Sequence, residues 1–105
     1  MDLPADSVEL IRQWAARTNG VREVWLFGSR AKGTSRPDSD VDLGIYLMPA
    51  TPTSDWALAR YFAEGDAWQR DLEGLLGRPV SLEAVIPGGP GHEEVQAGNL
   101  LWARQ

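Results

Sequence analysis

The sequence predicts a mixed α/β (α+β) domain, a small mixed β-sheet with helices packed on one face. Three observations predict it. Apolar residues recur with helical spacing over 7–18 and 55–76, β-rich apolar runs occupy 21–27 and 40–47, and a period-two run spans 80–85. The order that results is α-β-β-α-β-α-β, without internal repeat, in a chain of 105 residues that has room for one core and is taken as the single domain 1–105.

Each element follows from its residues. Val8, Ile11, Trp14, Ala15 and Thr18 form one helical face, with Asp6 or Ser7 as the expected N-cap and Asn19-Gly20 as the stop. Val21 to Phe27 reads Val-Arg-Glu-Val-Trp-Leu-Phe and is expected as a strand buried on at least one face. A small, polar segment, Gly28 to Ser39, leads into a second strand over Asp40 to Leu47. Pro49, Pro52 and Ser54-Asp55 then form a linker ending in a helix cap. Leu58, Tyr61, Phe62, Trp68, Leu72, Leu75 and Leu76 fall on one side of a long helix that Gly65 weakens and Gly77 closes. Alternation from Val80 to Val85 puts Ser81 and Glu83 on one face of a strand and Val80 and Leu82 on the other. After the loop Pro87-Gly88-Gly89-Pro90-Gly91, a short helix is expected over Glu93 to Ala97 and a terminal strand over Leu100 to Ala103.

Composition narrows the function classes. Hydrophobic residues are 43% and charged residues 24%, which describes a folded globular chain. No apolar run approaches the ~18 residues of a membrane span, and Met1 to Asp6 has neither the basic nor the apolar block of a secretion signal. With no cysteine there is no disulfide scaffold or thiolate metal site, and a cytoplasmic location is expected. A net charge of −5 argues against a general nucleic-acid binder, though not against one nucleotide bound through a metal ion. Five tryptophans exceed what a small core needs; most are expected inside it, the remainder on a partner surface.

The chemistry concentrates in Gly28 to Leu43. Gly28-Ser29 directly follows a buried strand, so its backbone N–H groups and the Ser29 hydroxyl are placed to cradle phosphate oxygens. Asp40 and Asp42 lie two apart at a strand start and share a face; two such carboxylates call for a cation, and Mg²⁺ is the usual one. An anion cradle beside a carboxylate pair is the minimum apparatus for phosphoryl transfer. A P-loop is a poor description, because Thr34-Ser35 follows Gly33 where Lys-Ser/Thr belongs and Lys32 falls on the wrong side. An EF-hand is excluded, because Asp38-x-Asp40-x-Asp42 is followed by Gly44 at the seventh position and Pro49 at the twelfth.

The run Gly28-Ser29-Arg30-Ala31-Lys32-Gly33, followed by Ser39-Asp40-Val41-Asp42-Leu43, resembles the minimal nucleotidyltransferases of the DNA polymerase β-like superfamily. The resemblance implies the polymerase β-like palm fold. It further implies that Asp40 and Asp42 hold two Mg²⁺ ions, that Gly28 and Ser29 hold the triphosphate of ATP or another nucleoside triphosphate, and that a nucleoside monophosphate passes to an acceptor hydroxyl. Arg30 and Lys32 are expected to neutralise the triphosphate or the leaving pyrophosphate. The family's third carboxylate comes from a later strand. Ser81 occupies that place here, and Glu83, on the same face about 6.6 Å further along, is assigned the role as metal ligand and proton acceptor.

With one domain only, the acceptor is expected on a partner protein or a second copy of this chain. The most specific form of the resemblance is an antitoxin that adenylylates a HEPN toxin. His92 has no second histidine beside it and no Arg four to six residues upstream, so the HEPN ribonuclease motif is absent from this chain. A non-catalytic nucleotide- or partner-binding module is the alternative, and transfer to a small molecule such as an aminoglycoside a third possibility.

Overall fold

A computed structural model describes residues 2–47, 56–89 and 91–104. Pro49, Pro52, Ser54 and Asp55 of the expected linker lie outside the described residues, as do the side chains of Leu58, Tyr61 and Phe62. The elements are α1 (Ala5–Arg17), β1 (Val21–Phe27), α2 (Gly28–Lys32), β2 (Val41–Leu47), α3 (Trp56–Leu76), β3 (Val80–Ala84), α4 (His92–Gln96) and β4 (Asn99–Ala103). They build a four-stranded sheet in the order β3-β2-β1-β4. β1 pairs antiparallel with β2 and with β4. β2 and β3 pair parallel, as the helical crossover α3 between them requires. Among the described residues no helix is long and apolar enough to cross a membrane.

Alternation along the strands assigns the faces. Val21, Val24 and Leu26 of β1, Val41, Leu43 and Ile45 of β2, and Val80 and Leu82 of β3 meet Val8, Ile11, Trp14 and Ala15 of α1 and Trp68 and Leu72 of α3. This is the main core, with both long helices on its side of the sheet. Trp14 and Trp68 meet edge to face, centroids 6.2 Å apart, an arrangement aromatic quadrupoles favour. Of the four tryptophans whose side chains are described, Trp14 and Trp68 are thus in the core, while Trp25 and Trp102 are only half-buried. Trp25 lies on the opposite face, where a second cluster joins Phe27, Tyr46, Val85 and Val95. The one-turn α4 reaches that opposite face because Gly44 has no side chain. A Cβ there would stand 2.9 Å from both methyls of Val95.

The start of α1 departs from expectation. Neither Asp6 nor Ser7 caps it; the helix is entered from Pro4, whose carbonyl accepts from the Val8 N–H at 3.1 Å. Leu3 is buried in the core just upstream and the Asp2 N–H donates to the Arg30 carbonyl at 2.7 Å. The chain is therefore fixed before Asp6, and the helix begins as soon as Pro4 allows. Thr18, read as part of the apolar face, is the C-terminal cap.

β4 lies against β1 through Gly98, where a Cβ would collide with the carbonyl oxygen of Leu26. Because backbone cannot yield as a side chain does, Gly98→Ala is expected to destabilise the fold by about 1–3 kcal/mol. Urea denaturation should show a lower midpoint with an unchanged slope; an unchanged midpoint would mean the β1–β4 edge is looser than described.

Candidate active site

Strand register brings the two parts of the Gly28–Leu43 segment together. Phe27, the last residue of β1, pairs with Asp42 of β2, so the chain leaving β1 turns directly over the Asp42 side chain. Gly28 makes that turn at φ +74°, a left-handed conformation that favours glycine, and a Cβ at this position would overlap the Asp42 carboxylate. Two separate demands, backbone conformation and space, thus select glycine at one site. Ser29 follows, half-exposed, and its carbonyl accepts from the Thr34 N–H at 3.0 Å, which ties back the end of the α2 turn. The backbone of Gly28-Ser29 and the carboxylate of Asp42 are immediate neighbours.

Arg30 does not present its head to this turn. It is 4% exposed, and its guanidinium donates to backbone carbonyls: Nε and Nη2 to Ser39 at 3.2 and 2.7 Å, Nη1 to Asp2 at 2.9 Å. The expectation of a phosphate-binding side chain is corrected accordingly. Arg30 is a clamp that holds the residue just before Asp40 and the N-terminal segment together, as a planar multi-donor head can. Asp2 completes the strap, its carboxylate accepting from the Ser35 N–H and hydroxyl at 3.2 and 2.8 Å. These bonds hold the Asp2 carboxyl below the usual carboxylate range. Lys32 is exposed at the end of α2.

Asp42 is half-buried, whereas Asp40 and Glu83 are exposed. The β2–β3 register puts Ser81 opposite Asp42 and Glu83 opposite Gly44, one pair further along the same face. Burial pushes the Asp42 carboxyl up, and Asp40, Glu83 and Glu94 push it further; Arg30 opposes them. Among the described residues no group of three or more His, Asp or Glu is gathered closely enough to hold a metal ion. Glu83 is thus not drawn into a three-carboxylate cage with Asp40 and Asp42. The donor set nevertheless fits Mg²⁺ in the manner that ion prefers, one or two carboxylates with water and substrate phosphates completing the shell. The observation that tests the fit is Asp42 itself, a half-buried carboxyl surrounded by negative charge that a cation would relieve.

Glu94 was not among the expected site residues. It arrives from α4, which packs on the site face through Val95 and shares an open depression of about 390 Å³ with Gly88, Gly89, Gly91 and His92. Period two along β2 carried part of the signal, since it places Gly44 and Tyr46 on the face of Asp42 and leaves a gap at the glycine for another element to fill.

The family model for the nucleotidyltransferase domain matches residues 8–83. Three solved structures share the fold. One described as a putative minimal nucleotidyltransferase is 31% identical, with 88% of this chain and 85% of that one covered and a TM-score of 0.58. A toxin–antitoxin crystal structure with AMP-PNP is 20% identical, with 93% and 74% covered and a TM-score of 0.65. The third is a toxin–antitoxin structure, MntA-HpeT, carrying two Asp-to-Glu substitutions. It is 19% identical, with 94% and 74% covered and a TM-score of 0.62. No curated protein sequence matches the chain.

The raised Asp42 carboxyl has a consequence for stability. The folded state holds that proton more tightly than the unfolded chain does, so the ionised form opposes folding at neutral pH. The penalty disappears as pH falls from the raised folded value through the ordinary value of about 3.9. Asp42→Asn is therefore expected to raise the melting temperature of the metal-free protein at pH 7 and to lose that advantage in acid. A lower melting temperature at neutral pH would contradict this.

Proposed function

Because the chain belongs to the nucleotidyltransferase domain family, we propose that it transfers a nucleoside monophosphate, AMP from ATP, to a hydroxyl on a partner protein. The observation that carries the proposal is the contact between the Gly28-Ser29 turn and the Asp42 carboxylate. It sets an anion-binding backbone beside a cation-binding side chain, and a metal-bound triphosphate needs both at once.

Asp40 and Asp42 would hold Mg²⁺, which supplies neutralisation and orientation of the triphosphate oxygens when bound. Gly28 and Ser29 would donate N–H and O–H bonds to the same triphosphate. Arg30 contributes a fixed positive charge behind the turn and holds the loop that carries Asp40. In the transfer, the acceptor oxygen forms a bond to the α-phosphorus, and the bond from that phosphorus to the β-phosphate oxygen breaks. Pyrophosphate leaves with the electron pair. The acceptor's proton passes to a carboxylate, for which Glu83 is proposed on the shared face of β2 and β3. A toxin as the acceptor, in the HEPN class or another, is the form favoured by the toxin–antitoxin structures with the same fold.

One observation favours a second reading. Ser81, not a carboxylate, stands opposite Asp42, and Glu83 is exposed one pair away. A non-catalytic module that binds metal-nucleotide and partner would need no more than this.

Two measurements test these readings. Calorimetry with Mg·ATP is expected to show binding that is abolished by EDTA and by Asp40→Asn/Asp42→Asn; equal affinity in the double variant would remove the metal site from the account. Transfer of radiolabelled nucleotide to a co-purified partner is expected to fall about 10²- to 10⁴-fold in Glu83→Gln, the usual cost of losing a positioned general base, with nucleotide affinity largely kept. Equal transfer by wild type and variant would show that Glu83 takes no part. No transfer by either, with binding intact, would favour the non-catalytic module.

A further inference from the structure

The strand registers name the neighbours of Asp42 on its face of the sheet. On the β1 side the chain leaves Phe27 and turns over the carboxylate at Gly28, so that flank is backbone. On the β3 side the residue directly opposite is Ser81, half-buried and neutral. Along the chain, the residues that share its face are Asp40, just before β2, and Gly44, which has no side chain. Glu83 stands opposite Gly44. A strand spacing of about 4.8 Å and a two-residue rise of about 6.6 Å put its Cα about 8 Å from that of Asp42 along the diagonal, whereas Ser81 is at the strand spacing. Glu83 is exposed, and among the described residues no three carboxylates or histidines gather closely enough to hold an ion. A fixed positive charge already stands behind the loop that delivers Asp40. Arg30 is buried and gives Nε and Nη2 to the Ser39 carbonyl, so its guanidinium lies against the residue before Asp40.

A pair of divalent ions about 3.5–4 Å apart repels strongly and is held only by carboxylates shared between the ions and others on their outer side. Here Asp40 and Asp42 are available for sharing, and the position opposite Asp42 is a hydroxyl. Triphosphate oxygens complete the shell of the ion that they accompany, and the β3 flank offers no charge for another.

We propose that Ser81 sets the metal stoichiometry: opposite Asp42 it presents a neutral hydroxyl where a further carboxylate would hold another ion, so the site takes one divalent cation per chain, the one that accompanies the triphosphate. The inference rests on the metal-dependent reading above and deepens it. The two ions implied by the resemblance become one. It also separates the roles open to Glu83, since a carboxylate set one pair away from Asp42 is left to accept a proton and not to ligate metal.

The test is equilibrium dialysis of the full chain against Mn²⁺ and AMP-PNP, counting ions and nucleotide bound per chain, with electron paramagnetic resonance of the bound Mn²⁺. Wild type is expected to hold one Mn²⁺ for each bound nucleotide, with the hyperfine spectrum of an isolated ion. Ser81→Asp is expected to take up a second ion roughly tenfold more tightly than wild type does, the scale of one added and partly screened charge, and to give the exchange-coupled spectrum of adjacent ions. Ser81→Asn, neutral and of the size of Asp, should keep one ion, and Glu83→Gln should leave count and spectrum unchanged. Melting curves of the metal-free variants establish that each is folded; should Ser81→Asp not fold, wild type and Glu83→Gln decide the matter. Two coupled ions in wild type, loss of the ion in Glu83→Gln, or a folded Ser81→Asp that still holds one would overturn the inference alone. Wild type that retains no Mn²⁺ would overturn the metal-dependent reading and this inference with it.

Discussion

The antiparallel register that pairs Phe27 with Asp42 is the constraint on which the site depends. It brings the exit of β1 over the start of β2, so the backbone of the turn and the carboxylate of the strand occupy adjoining volumes. Glycine at 28 is the condition for that approach, since any Cβ would overlap the carboxylate and φ is positive. A shift of one residue in this register would turn Asp42 into the main core and expose Val41 or Leu43, which the apolar packing forbids. The hydrophobic core therefore enforces the geometry of the polar site.

The remaining features support that junction from two sides. Arg30, buried and bonded to the carbonyls of Asp2 and Ser39, fixes the loop that delivers Asp40. On the open face, Gly44 and Tyr46 seat α4. Burial, with the negative charge of Asp40, Glu83 and Glu94 added to it, leaves the Asp42 carboxyl above its ordinary range. Such a group stores unfavourable energy in the unliganded fold and favours whatever cation relieves it.

Much of this was legible in the sequence. β1 spans the predicted 21–27, and the long helix and the β3 alternation that puts Ser81 and Glu83 on one face followed from period and composition. What was not legible depends on contacts between distant segments. Arg30 looks like a phosphate ligand in a basic turn; its burial is visible only once Asp2 and Ser39 are seen around it. Asp6 and Ser7 are good caps by type, but Leu3 and the Asp2–Arg30 bond fix where α1 begins. Glu94 was hidden for the same reason, because a short helix carries no periodic signal of the strand it packs on. Glu83 stands between the two cases: its face was predictable, whereas its offset from Asp42 came from the parallel register of β3 with β2.

The Asp42 end of β2 and the Gly28-Ser29 turn are proposed to form one cation- and phosphate-binding site. Its most direct test is paramagnetic broadening of amide signals when Mn²⁺ is added to isotope-labelled, metal-free protein. The account predicts that Gly28, Ser29 and Asp40 to Leu43 broaden first, that the far end of α1 around Arg17 keeps its signals, and that Asp40→Asn/Asp42→Asn abolishes the selectivity. Broadening centred elsewhere, such as on Asp66 and Asp71 of α3, or the same selective pattern in the double variant, would contradict it.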